Sequence, residues 1–308
     1  MNNISDHAAI VFGFKCNNGC LFCYDRENRH LPEKTTEEVK SEILAAKKKG
    51  KSWLNLIGGE PTIRQDICEL ISYGKKVGFK KVRISTNGRM LAYDDFARQL
   101  IKSGVSEIDF SLHGNSPKVH DFLTSTAGSF QQLIKGIENL KKLGFNQIGT
   151  NTTITKQNYK YLPSISKILL SYQIKRAEFM YIITNNESMF ESLTPHISEA
   201  SPYIAGALDK GQNLGFSWCL LNPPVGCYFH KYFKNNSIRY GDSRNEENFL
   251  PHSSITKYKE YYAVSKNKII AYVKVKECQD CPVNSNCWGI WQEYLRKYGQ
   301  KEFIRKDN

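Results

Sequence analysis

Between residues 8 and 183 the chain alternates short apolar, β-rich runs with longer stretches whose apolar residues recur at helical spacing. The strand-like runs are residues 8–14, 52–57, 81–85, 106–112, 147–153 and 177–183. The helical runs lie between them, at 36–48, 66–77, 93–102, 130–143 and 159–170. Thr35 or Thr36 with Glu38 makes a helix start. Gly50, Gly78, Gly104 and Gly144 each follow a helical run, as C-terminal stops do. Strands and helices in this alternation read as repeated βαβ units, hence an α/β fold with a parallel sheet. Ligand sites in such sheets gather at the carboxyl ends of the strands.

Past residue 190 the texture changes. Residues 191–226 read as helical in part, ending in Pro-Pro-Val-Gly. Two strand-like pieces follow, Ile238-Arg239-Tyr240 before Gly241 and residues 269–275, and then three closely spaced cysteines. Two domains are expected, a core over residues 1–190 and a cysteine-rich α+β extension over 191–308.

Composition narrows the class. With 308 residues, 40% hydrophobic and 24% charged, wholesale disorder is excluded and a large core needs no disulfides. The N-terminus, MNNISDHAAIVFGF, lacks the basic-then-apolar pattern of a signal peptide. No run approaches about 18 consecutive apolar residues, so no membrane span is expected. The expected setting is the cytoplasm, where thiols stay reduced, so nine cysteines point to metal or catalysis. The net charge of +13 fits an anionic cofactor, an acidic peptide or a nucleic acid. Much of that charge sits in solvated runs such as Lys47-Lys48-Lys49 and Lys80-Lys81, and no recognised RNA-binding module accompanies it.

Two motifs fall at strand ends. Cys16, Cys20 and Cys23 form a Cys-x3-Cys-x2-Cys run just after the first strand, with Gly19 permitting a tight turn. Three thiolates are one short of a closed zinc site but suit a four-iron cluster with one iron left open. Spacing alone leaves zinc completed by a residue such as His30, or three free thiols, as alternatives. Gly58-Gly59-Glu60-Pro61 follows the second strand: its glycines allow close backbone approach and its carboxylate can accept from an ammonium group. Alone, that motif is an ordinary turn before a helix.

Together they resemble the radical S-adenosylmethionine (SAM) enzymes. Ile84-Ser85-Thr86-Asn87-Gly88, Asp109-Phe110-Ser111-Leu112-His113-Gly114, Thr150-Asn151-Thr152-Thr153 and Glu178-Phe179-Met180-Tyr181 resemble that family's third to sixth strand ends, so the likeness spans residues 8–185. It implies a partial (β/α)6 TIM-type barrel in which Cys16, Cys20 and Cys23 hold a [4Fe-4S] cluster. The open iron takes the amino and carboxylate groups of SAM, and reductive cleavage yields a 5′-deoxyadenosyl radical that removes hydrogen from substrate. Phe22 matches the position beside the adenine, and Gly58, Gly59 and Glu60 match the motif holding the methionine amino group. Ser85, Asn87 and Ser111 are candidates for ribose or carboxylate contacts, with Asn151 and Thr152 behind them; strand-end capping is the competing role for each. His113 is a loop histidine near the site and is not assigned as a base.

Cys278, Cys281 and Cys287 form a Cys-x2-Cys-x5-Cys run, with Cys227 upstream. Four thiolates can close a zinc site or ligate every corner of a cluster. The arrangement resembles the SPASM or shortened "twitch" extensions of radical SAM enzymes, which implies one auxiliary [4Fe-4S] cluster on Cys227, Cys278, Cys281 and Cys287, with Cys219 as a substitute for Cys227. Cys68, in a helical run, reads as a buried apolar residue.

The resemblance favours an oxidoreductase or maturase acting on a ribosomally made peptide by crosslinking, epimerisation or oxidation. Its alternative is small-molecule or cofactor biosynthesis, and a non-catalytic metal-binding module is the competing class. The aromatic residues of 258–272 could shape a pocket, although plain packing explains them equally. A reducing partner such as flavodoxin or ferredoxin is implied.

Overall fold

In a computed structural model, residues 6–182, 184, 186–221, 227–233, 237–239 and 272–303 are described. The expected alternation is present. Strands β1 (His7–Val11), β2 (Trp53–Ile57), β3 (Lys81–Thr86), β4 (Glu107–Ser111), β5 (Ile148–Ile154) and β6 (Arg176–Tyr181) fall on the six β-rich runs. The sheet goes further than the sequence pattern suggests, through β7 (Ser217–Leu221) and β8 (Ile238–Arg239), in the order β1-β2-β3-β4-β5-β6-β7-β8. The fold is a partial TIM-type barrel with a small C-terminal extension. Residues 1–5, 183, 185, 222–226, 234–236, 240–271 and 304–308 lie outside the described residues, and with them the Pro-Pro-Val-Gly turn, Tyr240-Gly241, the start of the 269–275 run and most of the 258–272 segment.

Two compact units divide the chain. The first comprises described residues up to 112 together with Ser116–Thr150; the second comprises His113–Asn115 and the described residues from 151 on.

In the first unit β1 to β4 pair in parallel, with Ala8↔Leu54, Leu54↔Val82 and Ile84↔Ile108 in register. Alternate residues are fully buried, among them Ile10, Leu54, Leu56, Val82 and Ile84, together with Ile43, Leu70, Leu100, Ile137 and Leu140 of the helices. That is the layered core of an α/β fold. Several intervening positions are charged: Lys81 pairs with Glu107 at 2.8 Å, Arg83 pairs with Asp109 at 3.2 Å, and Lys81 lies over the Trp53 ring. Strands of a packed parallel sheet are normally apolar on both faces, and here the charges at these positions are neutralised in pairs across neighbouring strands.

Helix α1 (Thr36–Lys48) begins as its sequence specifies. The Thr35 hydroxyl accepts from Glu38 N, and the Glu38 carboxylate accepts from Thr35 N at 2.7 Å. Gly50, Gly78, Gly104 and Gly144 all take the left-handed backbone of helix stops. Helices α2 (Ile67–Lys76), α3 (Asp94–Lys102), α5 (Ser129–Lys142) and α6 (Leu162–Ser171) match the remaining helical runs. An additional helix, α4 (Pro117–Thr124), departs from expectation. The first strand ends at Val11 rather than residue 14, because the Phe12 carbonyl turns to accept from Lys34 N at 2.8 Å.

In the second unit β6, β7 and β8 pair in parallel, with Phe179↔Leu220 and Leu220↔Ile238. The 191–226 stretch is helical in part, as expected: it holds the end of α7 (Glu187–Leu193) and α8 (Ile197–Gln212), followed by the strand β7. Trp218 of β7 is buried edge-on to Phe179 and donates its indole N–H to the Ile174 carbonyl at 3.0 Å. The extension contributes a two-stranded antiparallel ribbon, β9 (Tyr272–Val273) with β10 (Ile290–Trp291), and the helix Gln292–Tyr298.

Candidate functional site

The segment after β1 crosses the turn after β2 at backbone contact. Gly58 and Gly59 have φ of +103° and +52°, and the Glu60 N–H donates to the Lys15 carbonyl at 2.8 Å. Side-chain-free residues are required: a Cβ on Gly59 would run into the Lys15 carbonyl oxygen and lie 2.7 Å from the Phe14 carbonyl carbon. Lys15 immediately precedes Cys16, so the glycine pair fixes where the cysteine loop begins.

The far side of that loop is held by α4. The Thr124 and Leu123 carbonyls, left open at its C-terminus, accept from Gly19 N at 2.8 Å and Leu21 N at 2.9 Å. Cys20 lies between those two anchors. Arg89 braces a third side. Its guanidinium donates to the Asn17 carbonyl and to Asn18 Oδ1 at 3.2 Å, and its Nε donates to Gln132 at 2.6 Å. Neither Arg89, Gln132 nor α4 is marked in the sequence as part of this site.

The loop's sulfurs are surrounded by N–H groups. Asn18 N lies 3.4 Å from Cys16 Sγ, Asn87 Nδ2 lies 3.9 Å from the same sulfur, and Arg29 Nη2 lies 4.0 Å from Cys23 Sγ. Burial pushes the Cys16 thiol up and the Cys20 thiol up to about 12, and neighbouring cysteines add to both. Thiols so crowded and aimed at by N–H donors suit sulfurs that carry negative charge to a cationic centre. This donor set therefore fits three ligands of an iron–sulfur cluster. Among the described residues no three His, Cys, Asp or Glu side chains are grouped tightly enough to hold a single metal ion; a four-iron cluster asks instead for one thiolate on each iron. His30 is exposed.

Glu60 is the buried anchor between the ends of β2 and β3. Its Oε1 accepts from Thr62 N at 3.0 Å, Thr62 Oγ1 at 2.6 Å and Thr86 Oγ1 at 2.6 Å, and its Oε2 accepts from Asn87 N at 2.6 Å. Burial raises its pKa and these donors oppose the shift. Asn87 then reaches forward, donating to Asn17 Oδ1 at 2.6 Å, so one chain of hydrogen bonds joins Glu60 to the cysteine loop.

Of the other expected residues, Phe22 is half-buried in the loop. Ser85 is half-buried and in register with Asp109, and Ser111 is the last residue of β4. Asn151 and Thr152 belong to the second unit, on β5, half-buried and buried respectively. His113 is buried, and its Nδ1 accepts from Thr153 N at 3.1 Å while its carbonyl accepts from Asn158. That bond places the ring proton of a neutral imidazole on Nε2, so His113 reads as a fixed structural histidine.

The α4 brace carries a pH-dependent stability. His120 is fully buried, and burial lowers its pKa from 6.5 to about 4. The folded state therefore holds the neutral ring, and stability present above pH 6.5 is lost as the pH falls toward 4. The expected loss is about 2 kcal/mol at pH 5. Urea unfolding of wild type and His120→Leu at pH 8 and pH 5 tests this. The variant should show a smaller drop by that amount, and an equal drop would refute it.

In the second unit the C-terminal cysteines draw together. Cys227 is an exposed residue, yet its sulfur is sheltered by its neighbours. Burial pushes its thiol up to about 12, and Cys281, Cys278 and Cys287 add to the shift. Gly289 N lies 3.3 Å from Cys287 Sγ, another N–H aimed at a sulfur. Gly289 itself has φ of +102°, and a Cβ there would lie 2.8 Å from the Val273 carbonyl carbon. Thiols near enough to act on one another's charge could give one ligand to each iron of a four-iron cluster, while no three of them group tightly enough for a single metal ion. Cys219 is instead buried within β7. Cys68 is half-buried rather than buried, on α2.

The Radical SAM superfamily matches residues 10–167, just over half the chain, and the protein belongs to this family. It is an enzyme of the radical SAM class, which implies a [4Fe-4S] cluster and SAM. Over 145 residues the chain is 34% identical to an AdoMet-dependent heme synthase of Methanosarcina barkeri, a match covering 46% of this chain and 41% of that protein. Over 162 residues it is 30% identical to the mycofactocin maturase MftC of Mycolicibacterium smegmatis, covering 52% and 40%. The chain thus matches less than half the length of these two relatives. Its fold is similar to that of Streptococcus suis SuiB, solved bound to precursor peptide SuiA. The TM-score is 0.60 and the identity 21%, covering 80% of this chain and 56% of SuiB. No helix among the described residues is long and apolar enough to cross a membrane.

Proposed function

We propose that this chain is a radical SAM maturase of a ribosomally made peptide, with a catalytic core over residues 1–190 and an auxiliary-cluster extension of SPASM/twitch type over 191–308. The observation that carries the catalytic reading is the backbone seam at Gly59, which sets Cys16 and Glu60 at neighbouring strand ends. Cys16, Cys20 and Cys23 would hold the [4Fe-4S] cluster, and Gly58, Gly59 and Glu60 the SAM amino group. Phe22 would face the adenine, and Ser85, Asn87 and Ser111, backed by Asn151 and Thr152, the ribose and carboxylate. When bound, cluster and SAM supply a 5′-deoxyadenosyl radical, fed by a reducing partner such as flavodoxin or ferredoxin.

The chain's own work is positional. Arg89 and α4 pin the cysteine loop, and the Asn87–Glu60 chain holds the SAM end of the site in register with it. Such fixing keeps a reactive species aimed at one hydrogen atom. Cys227, Cys278, Cys281 and Cys287 would hold an auxiliary [4Fe-4S] cluster.

A peptide substrate is supported by the maturase relative and by the precursor peptide in the SuiB structure. The heme synthase relative supports a second reading, small-molecule biosynthesis. The test is anaerobic reconstitution, iron and zinc per chain, then SAM and dithionite. We expect 5′-deoxyadenosine and about eight irons, two cysteine sites each holding a four-iron cluster. Zinc with no deoxyadenosine would overturn the reading. Mass spectrometry of short peptides encoded beside the gene, incubated with the enzyme, separates peptide from small-molecule chemistry.

A further inference from the structure

The C-terminal thiols have a neighbour that their spacing does not announce. His230 opens a short helix, His230–Phe233, three residues after Cys227, and its Nε2 lies 3.4 Å from Cys281 Sγ. Cys227, His230 and Cys281 share the wall of a cavity of about 630 Å³, together with Tyr228 and Glu277. His230 thus stands beside the four cysteines assigned to the auxiliary cluster, a fifth donor where a four-iron cluster takes four. Either the histidine is a ligand, or it serves one.

Ligand counting favours the second, since four cysteines suffice for four irons. A Cys281 bound to iron is a thiolate with no hydrogen of its own, so an imidazole nitrogen 3.4 Å away must supply the proton. The distance is that of an N–H···S hydrogen bond, like the one from Gly289 N to Cys287 Sγ at 3.3 Å. The thiolates of Cys227, Cys278, Cys281 and Cys287 then fill the four iron positions.

We infer that His230 is a positioning residue of the auxiliary centre, donating Nε2–H to the Cys281 thiolate and so raising the centre's reduction potential. This rests on the auxiliary-cluster reading above. An N–H donor stabilises the more negative, reduced form of a cluster more than the oxidised form. The backbone amide at Gly289 performs that service for Cys287; His230 performs it for Cys281, on the side that faces the cavity.

The test is a redox titration followed by electron paramagnetic resonance on the full chain. It is run with Cys16, Cys20 and Cys23 replaced by alanine, so that one centre is read, and again with those cysteines intact. In each background His230 is compared with His230→Ala and His230→Gln. Iron per chain should be equal in all three. The midpoint should move to more negative potential in His230→Ala, and His230→Gln, whose amide can donate, should lie between. An unmoved midpoint in His230→Ala would overturn the inference. So would a loss of iron equal to that of Cys227→Ala, which would make His230 a ligand. If the three-alanine chain with His230 unchanged binds no iron–sulfur centre, the auxiliary-cluster reading itself fails, and it fails before His230 is touched.

Discussion

Gly59→Ala is expected to abolish 5′-deoxyadenosine formation and to strip iron from the first cysteine loop while the C-terminal site keeps its own. The reason is steric and local. At φ +52° the new methyl group would meet the Lys15 carbonyl oxygen and lie 2.7 Å from Phe14 C and 2.9 Å from Lys15 C. All three are backbone atoms, so no rotamer change relieves the clash. Either the Gly58–Glu60 turn withdraws, breaking the Glu60 N to Lys15 carbonyl bond, or the residue before Cys16 is displaced. Gly50→Ala is the control. It is equally left-handed at φ +79°, but nothing lies within 4 Å of its Cβ, so only the conformational cost of about 1 kcal/mol applies. That variant should melt slightly earlier and keep full activity. Iron assay, deoxyadenosine chromatography and thermal unfolding read both. Wild-type deoxyadenosine from Gly59→Ala would show that the seam is not what places the cysteines.

Where the sequence was informative, local chemistry and tertiary packing asked for the same thing. Thr35 and Glu38 cap α1 as their spacing requires, and the strand runs alternate buried and half-buried residues. The cysteine and glycine motifs were legible because each is contiguous and sits at a strand end. Helix α4 was hidden because its exposure runs against its composition: Phe122 is 56% exposed, while His120 is fully buried. Ser116 and Pro117, an N-cap and a first-turn proline, were the available signal. β7 was hidden because a five-residue apolar run, Ser217–Leu221, cannot be told from a helix end by periodicity.

The supports of the site were illegible for a different reason. Gly19 and Leu21 bond to the carbonyls of Thr124 and Leu123, and any residue type supplies a carbonyl. Arg89 acts on Asn17 across 72 positions of sequence, and nothing in its neighbours marks it. Only a carboxylate with a fixed place in the motif, Glu60, could be both anticipated and then found with more work than anticipated. The structure gives it a bracing task between β2 and β3 that the motif does not announce.

The bracing by Glu60 and its proposed contact with SAM can be separated. Glu60→Ala would strand Thr62 N and Asn87 N in a buried site, each at a cost of about 1–3 kcal/mol, and loss of SAM binding would then report damage rather than recognition. Glu60→Gln keeps the shape. With its amide oxygen at the Oε1 position it still accepts from Thr62 N, Thr62 Oγ1 and Thr86 Oγ1, but its NH2 then faces Asn87 N and strands that one donor at about 1–3 kcal/mol, a loss the thermal melt reads separately. What it cannot do is accept from an ammonium group at the position of Oε2, which in the wild type accepts from Asn87 N and keeps a second lone pair. A charge-assisted bond of about 1.5–3 kcal/mol corresponds to SAM binding weakened by about 10- to 100-fold. Iron per chain should stay at the wild-type level, because the three cysteines keep the braces from Arg89, Thr124 and Leu123. Equilibrium dialysis with SAM, beside an iron assay and a thermal melt, measures all three quantities. Unchanged SAM affinity in Glu60→Gln would leave the carboxylate as a brace alone and return recognition of the amino group to the backbone of Gly58 and Gly59.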